Sequence, residues 1–254
     1  MKTERDSTLS RRQLMARGGA VAVGLWVSST PLIAHAQEQS TEPREKKPAP
    51  PGKPEPKEEE PGIGPGEDLM REHGVLSRIL LIYDDAQDCL VRNQEFDATV
   101  LADAAELVRK FVEDYHEQLE EKQIFPRFQK AGKLTDLVKV LLRQHEVGRA
   151  VTDSLITTLK AGSPKDQAAR IHLAQLLREF IRMYRPHKAR EDTVLFPAFH
   201  ELVSPDEYDK LGDEFEKQER QILGGEGFET AVAKVTELEK KVGLYDLSQF
   251  TPKV

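Results

Sequence analysis

From Glu67 onward, apolar residues return every three or four positions in four long blocks, the period of one helix face. The first block, about 68–92, carries a stripe of Leu69, His73, Leu76, Leu80 and Tyr83. The second, about 97–128, aligns Val108, Val112, His116, Glu120 and Ile124, and the third, about 134–160, aligns Val138, Leu141, His145, Gly148 and Leu155. The fourth opens at Ser163-Pro164, a capping serine followed by a first-turn proline, and carries Leu176, Phe180, Met183, His187, Glu191 and Leu195. Short polar breaks at 93–96, 131–133 and 161–163 suit antiparallel neighbours, so the pattern predicts an all-α, up-down-up-down four-helix bundle over residues 67–200. Pro186 falls inside the fourth block, where its missing N–H predicts a bend just before His187.

Two further amphipathic stretches follow. Ser204-Pro205-Asp206-Glu207 reads as a capped start, with Tyr208, Leu211, Phe215 and Ile222 along one stripe. After Gly224-Gly225-Glu226-Gly227, a last stripe runs through Phe228, Val232, Val235, Leu238 and Val242. Residues 201–254 are therefore expected as a C-terminal helical extension packed on the bundle.

Polar residues break the apolar stripes in a repeated way. His116-EQL-Glu120-EKQ-Ile124-Phe125-Pro126 is matched by His187-KAR-Glu191-DTV-Leu195-Phe196-Pro197, and on a helix positions i and i+4 share a face. A lone histidine precedes each pair: His73, 43 positions before His116, and His145, 42 before His187. A buried polar side chain needs a partner, and an ionised carboxylate on such a face needs a cation most of all. His73, His116, Glu120, His145, His187 and Glu191 are therefore the candidate metal ligands. A lone histidine on an apolar stripe is by itself more often a satisfied core residue; the six together are what point to metal. Four imidazoles and two carboxylates without thiolate suit iron or manganese better than a structural zinc. Glu72, Glu121, Glu146 and Asp192 flank these positions as outer groups or solvated charges. Tyr115 and Tyr184 are outer-sphere candidates, and Tyr184 is placed to donate to a bound small molecule or to pack in the core. Glu216 or Glu219 is a weaker candidate for an extra carboxylate. His172 and His200 have no partner at helical spacing and read as surface or rim residues.

Composition alters the picture mainly at the N-terminus. The chain has 254 residues, 38 % of them hydrophobic, and a mean hydropathy of −0.55, too polar for a membrane-embedded protein. Residues 1–36 have the layout of a twin-arginine export signal: Ser10-Arg11-Arg12-Gln13-Leu14, an apolar stretch, then Ala34-His35-Ala36. Ser28, Ser29, Thr30 and Pro31 interrupt the apolar run, which favours cleavage after Ala36 over a membrane span, so no span is expected in the mature chain. The expected location is periplasmic or otherwise extracytoplasmic. Residues 37–66 hold eight of the fifteen prolines among Glu and Lys, the composition of a disordered, partly polyproline linker. The leader is net +3, so the chain's formal charge of −7 becomes −10 beyond it, which disfavours nucleic acid as a partner. Cys89 is the single cysteine, so no intramolecular disulfide forms.

The repeated motif, with its two lone histidines, resembles the hemerythrin-like, or HHE cation-binding, domain over about residues 67–200. The resemblance implies a four-helix bundle holding two non-haem irons, with His73, His116, His145 and His187 as nitrogen ligands and Glu120 and Glu191 as bridging carboxylates. Familiar oxygen carriers of this kind have a further histidine four residues along one helix and an aspartate five after the last histidine. Here Arg149 stands four after His145, whereas Asp192 does lie five after His187, so the choice of bridge between Glu191 and Asp192 stays open. Three roles follow: a module binding dioxygen or nitric oxide for storage, delivery or sensing; a di-iron redox enzyme acting on peroxide or dioxygen; and iron handling or a metal-stabilised scaffold. The small ligand expected is a diatomic molecule or peroxide, and the electron donor and protein partner stay open.

Overall fold

A computed structural model describes residues 63–164, 166–224 and 227–254. The leader with its twin arginines, and the proline-rich segment up to residue 62, lie outside the described residues. Six helices account for most of the rest. Helix α1 runs Pro65–Val91, starting with proline in its first turn after Gly64, slightly ahead of the first hydrophobic stripe. Helix α2 continues from Ala98 to Ala131, its start capped by Asp97, whose carboxylate accepts from the backbone N–H groups of Thr99 and Val100 at 2.9 and 3.0 Å. It ends on Gly132 at φ 65°, the left-handed conformation that a glycine adopts without a Cβ clash. Helix α3 is Thr135–Lys160 and α4 continues from Gln167 to Leu202.

Helix α4 begins later than Ser163-Pro164. Asp166 is the cap, accepting from Ala169 N–H at 2.9 Å, because a carboxylate one residue before the helix outcompetes a serine three residues further away. Its buried stripe is also rotated: Leu173, Leu177, Phe180, Ile181 and Tyr184 face the core, while Leu176 and Met183 sit at the rim. The helix passes through Pro186, which is exposed, and stays helical to the end of the segment.

Helix α1 packs on α4 and α2, and α3 packs on α2 and α4, closing the ring of four. Helices α5, Pro205–Ile222, and α6, Gly227–Lys241, then pack on α1 and α2. Tyr208 ties α5 down: its hydroxyl donates to Glu67 Oε2 at 2.7 Å and accepts from Gly66 N–H at 3.1 Å. A Cβ at Gly66 would lie 2.8 Å from that hydroxyl, so glycine permits the close approach. Arg78 of α1 ties α6 down through Glu239 and through Thr236 at 2.7 Å. Ile222 is exposed rather than part of the α5 stripe. Among the described residues, no helix is long and apolar enough to cross a membrane.

Candidate metal centre

All six candidate side chains meet in the middle of the bundle, and all are buried. They form two imidazole pairs. His73 on α1 and His116 on α2 face each other Nε2 to Nε2 at 3.1 Å, and His145 on α3 and His187 on α4 do the same at 3.2 Å. The carboxylates reach across the pairs. Glu120 sets Oε1 3.6 Å from His116 Nε2 and Oε2 3.4 Å from His145 Nε2, while Glu191 Oε2 lies 3.4 Å from His73 Nε2 and 3.0 Å from His187 Nε2. Glu120, His145, His187 and Glu191 bring one ligand atom each within 4.8 Å of one another, as do His73, His116 and Glu120. Among the described residues, the four imidazoles are the only side chains placed against the oxygens of Glu120 and Glu191, which meet no Lys, Arg or hydroxyl donor.

The other ring nitrogens are all engaged. Nδ1 of His73 bonds Asp192 at 2.6 Å and Nδ1 of His145 bonds Glu121 at 2.9 Å. Nδ1 of His116 bonds Glu72 and Nδ1 of His187 bonds Gln144, each at 2.9 Å. In the neutral ring, donation of N–H from Nδ1 leaves the Nε2 lone pair facing inward. Phe196 stacks on His73 and Phe125 on His145, with ring centroids 5.7 and 5.6 Å apart and the same 26° between planes. The centre thus has an approximate two-fold relation in which each half supplies a carboxylate to the other, and the acceptor and aromatic ring for its lone histidine, while Glu72 and Gln144 serve His116 and His187 within their own halves. Asp192 serves His73 from outside, while Glu191 points between the imidazoles, which separates the two neighbouring acids by role.

The backbone widens where these side chains leave it. Segments Val108–His116, Glu120–Ile124 and Glu191–Leu195 adopt the π-helical form, and the last two close with Phe125 N–H on Glu120 O and Phe196 N–H on Glu191 O. Each of these two precedes Phe-Pro. Proline has no N–H and its ring crowds the carbonyl four residues back, so the turn before it opens to the i→i+5 pattern. Periodicity alone did not reveal these turns; the repeated Phe-Pro was the available signal.

A family model described as the hemerythrin HHE cation binding domain matches residues 65–221. The chain belongs to this hemerythrin family. Uncharacterized proteins of Mycobacterium tuberculosis and Mycobacterium bovis are each 47 % identical to it over 256 residues, spanning 99 % of this chain and 94 % of the relative. No solved structure matches the chain.

The donor set of this hemerythrin-family protein fits a binuclear metal site: two imidazole pairs, shared by two carboxylates whose four oxygens are otherwise without partners. Without a cation the two glutamates diverge, because like charges buried together cannot both ionise. Burial and then the nearby Glu191 push Glu120 well above the usual carboxylate value. Burial opposes Glu191 too, but His187 and then His73 hold it well below that value. Burial lowers His73, yet hydrogen bonds to Asp192 and Glu191 outweigh it and raise the imidazole to about 9. Burial, then the neighbouring His73, holds His116 well below the ordinary histidine value.

Some outer residues behave differently from expectation. The Tyr184 hydroxyl donates to Glu117 Oε1 at 2.6 Å and is thereby committed. Glu117, pushed by burial to about 7, also accepts from Arg149 Nη1 at 2.8 Å, and the same Nη1 lies 2.9 Å from Glu121 Oε1. Arg149 therefore tethers two carboxylates beside His145. Glu216 pairs with Arg220 at 3.4 Å and Glu219 accepts from Phe228 N–H at 2.5 Å, so both have roles within the extension. His172 and His200 are exposed. Gln144 carried no signal beyond its place immediately before His145.

Proposed function

We propose that this chain is an exported hemerythrin-like protein whose bundle holds two non-haem iron ions and binds dioxygen or nitric oxide for storage, delivery or sensing. His73 and His116 would be the nitrogen ligands of one iron, His145 and His187 those of the other, with Glu120 and Glu191 bridging. The observation that carries this reading is the pair of buried carboxylates, Glu120 and Glu191, set between two pairs of inward-facing Nε2 atoms with no other side chain to neutralise them. Iron is favoured over zinc because the donors are nitrogen and oxygen without thiolate. Held by these residues, two irons would supply a change of oxidation state and the capacity to take up a diatomic molecule or peroxide. The chain's own work is to orient four imidazoles through their Nδ1 acceptors and to keep bulk water out with Phe125, Phe196 and Tyr184, all buried. Export by the twin-arginine route is supported by Arg11-Arg12, the apolar stretch and Ala34-His35-Ala36, and that route moves proteins already folded around their metal.

A second reading, a di-iron redox enzyme consuming peroxide or dioxygen, is favoured by one observation. Arg149 is bound to Glu117 and Glu121 at the position where the oxygen carriers have a further imidazole, so the chain offers fewer protein ligands. One experiment separates the two. The anaerobically reduced, iron-loaded chain is exposed in turn to dioxygen, nitric oxide and peroxide while its visible spectrum and the remaining reagent are followed. A persistent, reversible band without net consumption supports binding. Repeated consumption of peroxide that is lost in His116→Ala supports the enzyme. No spectral response to any of the three overturns both.

A further inference from the structure

The two halves of the centre match in the π-helical turn after each glutamate, in imidazole pairing and in aromatic stacking, but their Nδ1 acceptors do not match in charge. Around the first pair, His73 bonds the Asp192 carboxylate at 2.6 Å and His116 bonds the Glu72 carboxylate at 2.9 Å. Around the second, His187 bonds a neutral amide, Gln144 Oε1, at 2.9 Å. His145 bonds Glu121, whose charge is met by Arg149 at 2.9 Å. Glu117 adds one carboxylate 4.0 Å from His145 Nδ1, but it shares that same guanidinium and the Tyr184 hydroxyl. The first pair is therefore backed by two carboxylates and the second by two carboxylates and a cation. Glu72 and Gln144 hold equivalent places, each immediately before a lone histidine in Arg71-Glu72-His73 and Arg143-Gln144-His145.

An imidazole that donates its N–H to a carboxylate is a more basic ligand than one that donates to an amide, and outer partners of this kind alter metal affinity by about 10–100-fold. The difference is felt strongly in a buried site, where charge is weakly screened. We propose that Gln144 makes the two metal positions unequal, so that the position formed by His73 and His116 binds a divalent cation more tightly and fills first. This rests on the reading of the cluster as a binuclear metal site. Its consequence is a centre with one resident ion and one exchangeable ion, with Gln144 as the positioning residue that sets the gap.

The test is a cobalt(II) titration of the purified full chain under anaerobic conditions, read by visible absorption and by competition with a chelator. The expected isotherm has two steps of one equivalent each, separated by about 10–100-fold in affinity. His116→Ala should remove the tight step and His187→Ala the weak one. Gln144→Glu should draw the steps together by strengthening the second, and Glu72→Gln should do so by weakening the first, which keeps the test decisive if either variant folds poorly. Two steps of equal affinity in the unaltered chain, a tight step that survives in His116→Ala, or a gap that neither acceptor variant moves would each overturn the proposal while leaving the binuclear site standing. No cobalt bound at all would overturn the binuclear reading itself.

Discussion

Replacing Gly148 by alanine should destabilise the bundle, although alanine is the better helix former by about 1 kcal/mol. A Cβ at position 148 would lie 2.0 Å from the Tyr184 hydroxyl oxygen and 2.8 Å from Cζ. The Tyr184 ring cannot swing aside, being buried between Phe180 and His187 with centroids 4.4 and 5.3 Å away. Forcing it to shift adds about 1–3 kcal/mol of overpacking. It also breaks the 2.6 Å bond to Glu117, a charge-assisted hydrogen bond whose loss costs about 1.5–3 kcal/mol. After the helix-propensity gain is subtracted, the net destabilisation is about 1.5–5 kcal/mol, or roughly 3–20 °C in melting temperature for a domain of this size. The assay is thermal and urea unfolding of the metal-free full chain, followed by circular dichroism. Tyr184→Phe alone should cost about 1.5–3 kcal/mol, and in that background Gly148→Ala should cost less than in the unaltered chain, because the closest clashing atom is gone. A Gly148→Ala chain more stable by about 1 kcal/mol, the behaviour of an ordinary exposed helix glycine, would refute the packing argument.

Three further outcomes are expected. Metal loading near neutral pH should release protons, one from His73, whose metal-free value is about 9, with a further contribution from Glu120, which burial and then Glu191 push well above the usual carboxylate value. Affinity should accordingly weaken as pH falls; calorimetry in buffers of different ionisation heat reads the release, and loading without protons would contradict the assignment. Glu120→Gln resembles the protonated acid, so it should leave the stability of the metal-free chain within about 1 kcal/mol while lowering metal retention by at least roughly 10-fold, and an equal loss of both would count against a metal role. Arg78→Ala should loosen α6 by leaving buried Glu239 without its guanidinium, at a cost of about 1–3 kcal/mol. Hydrogen exchange should show lost protection in Gly227–Lys241 with metal content unchanged; loss of metal instead would mean that the extension supports the centre directly.

The four-helix core was legible because its stripes are long and strictly periodic: every residue named for the first three helices is buried where the period puts it. The fourth was read less well. Leu176 and Met183 looked like core and lie at the rim, because period alone cannot fix the rotation of a helix whose apolar residues are this dense. The six candidate ligands stood out as polar residues on apolar stripes, and the structure brings all six together. Of their outer partners, Glu72, Glu121 and Asp192 were named as outer groups or solvated charges without an assigned imidazole, and Gln144 was not named. Glu72, Gln144, Glu121 and Asp192 are polar residues beside other polar residues, with no pattern of their own beyond repeated adjacency to a candidate ligand. Tyr184 was recognised, but its hydrogen bond to Glu117 depends on the approach of α3 at Gly148, a three-dimensional fact that spacing within α4 does not contain.

The measurement that bears most directly on the central claim is elemental analysis of the purified full chain, made together with a melting curve before and after chelation. About two irons per chain, lost on chelation with a fall in melting temperature, is the expected result. Zinc at full occupancy, or no metal and no change in stability on chelation, would contradict it.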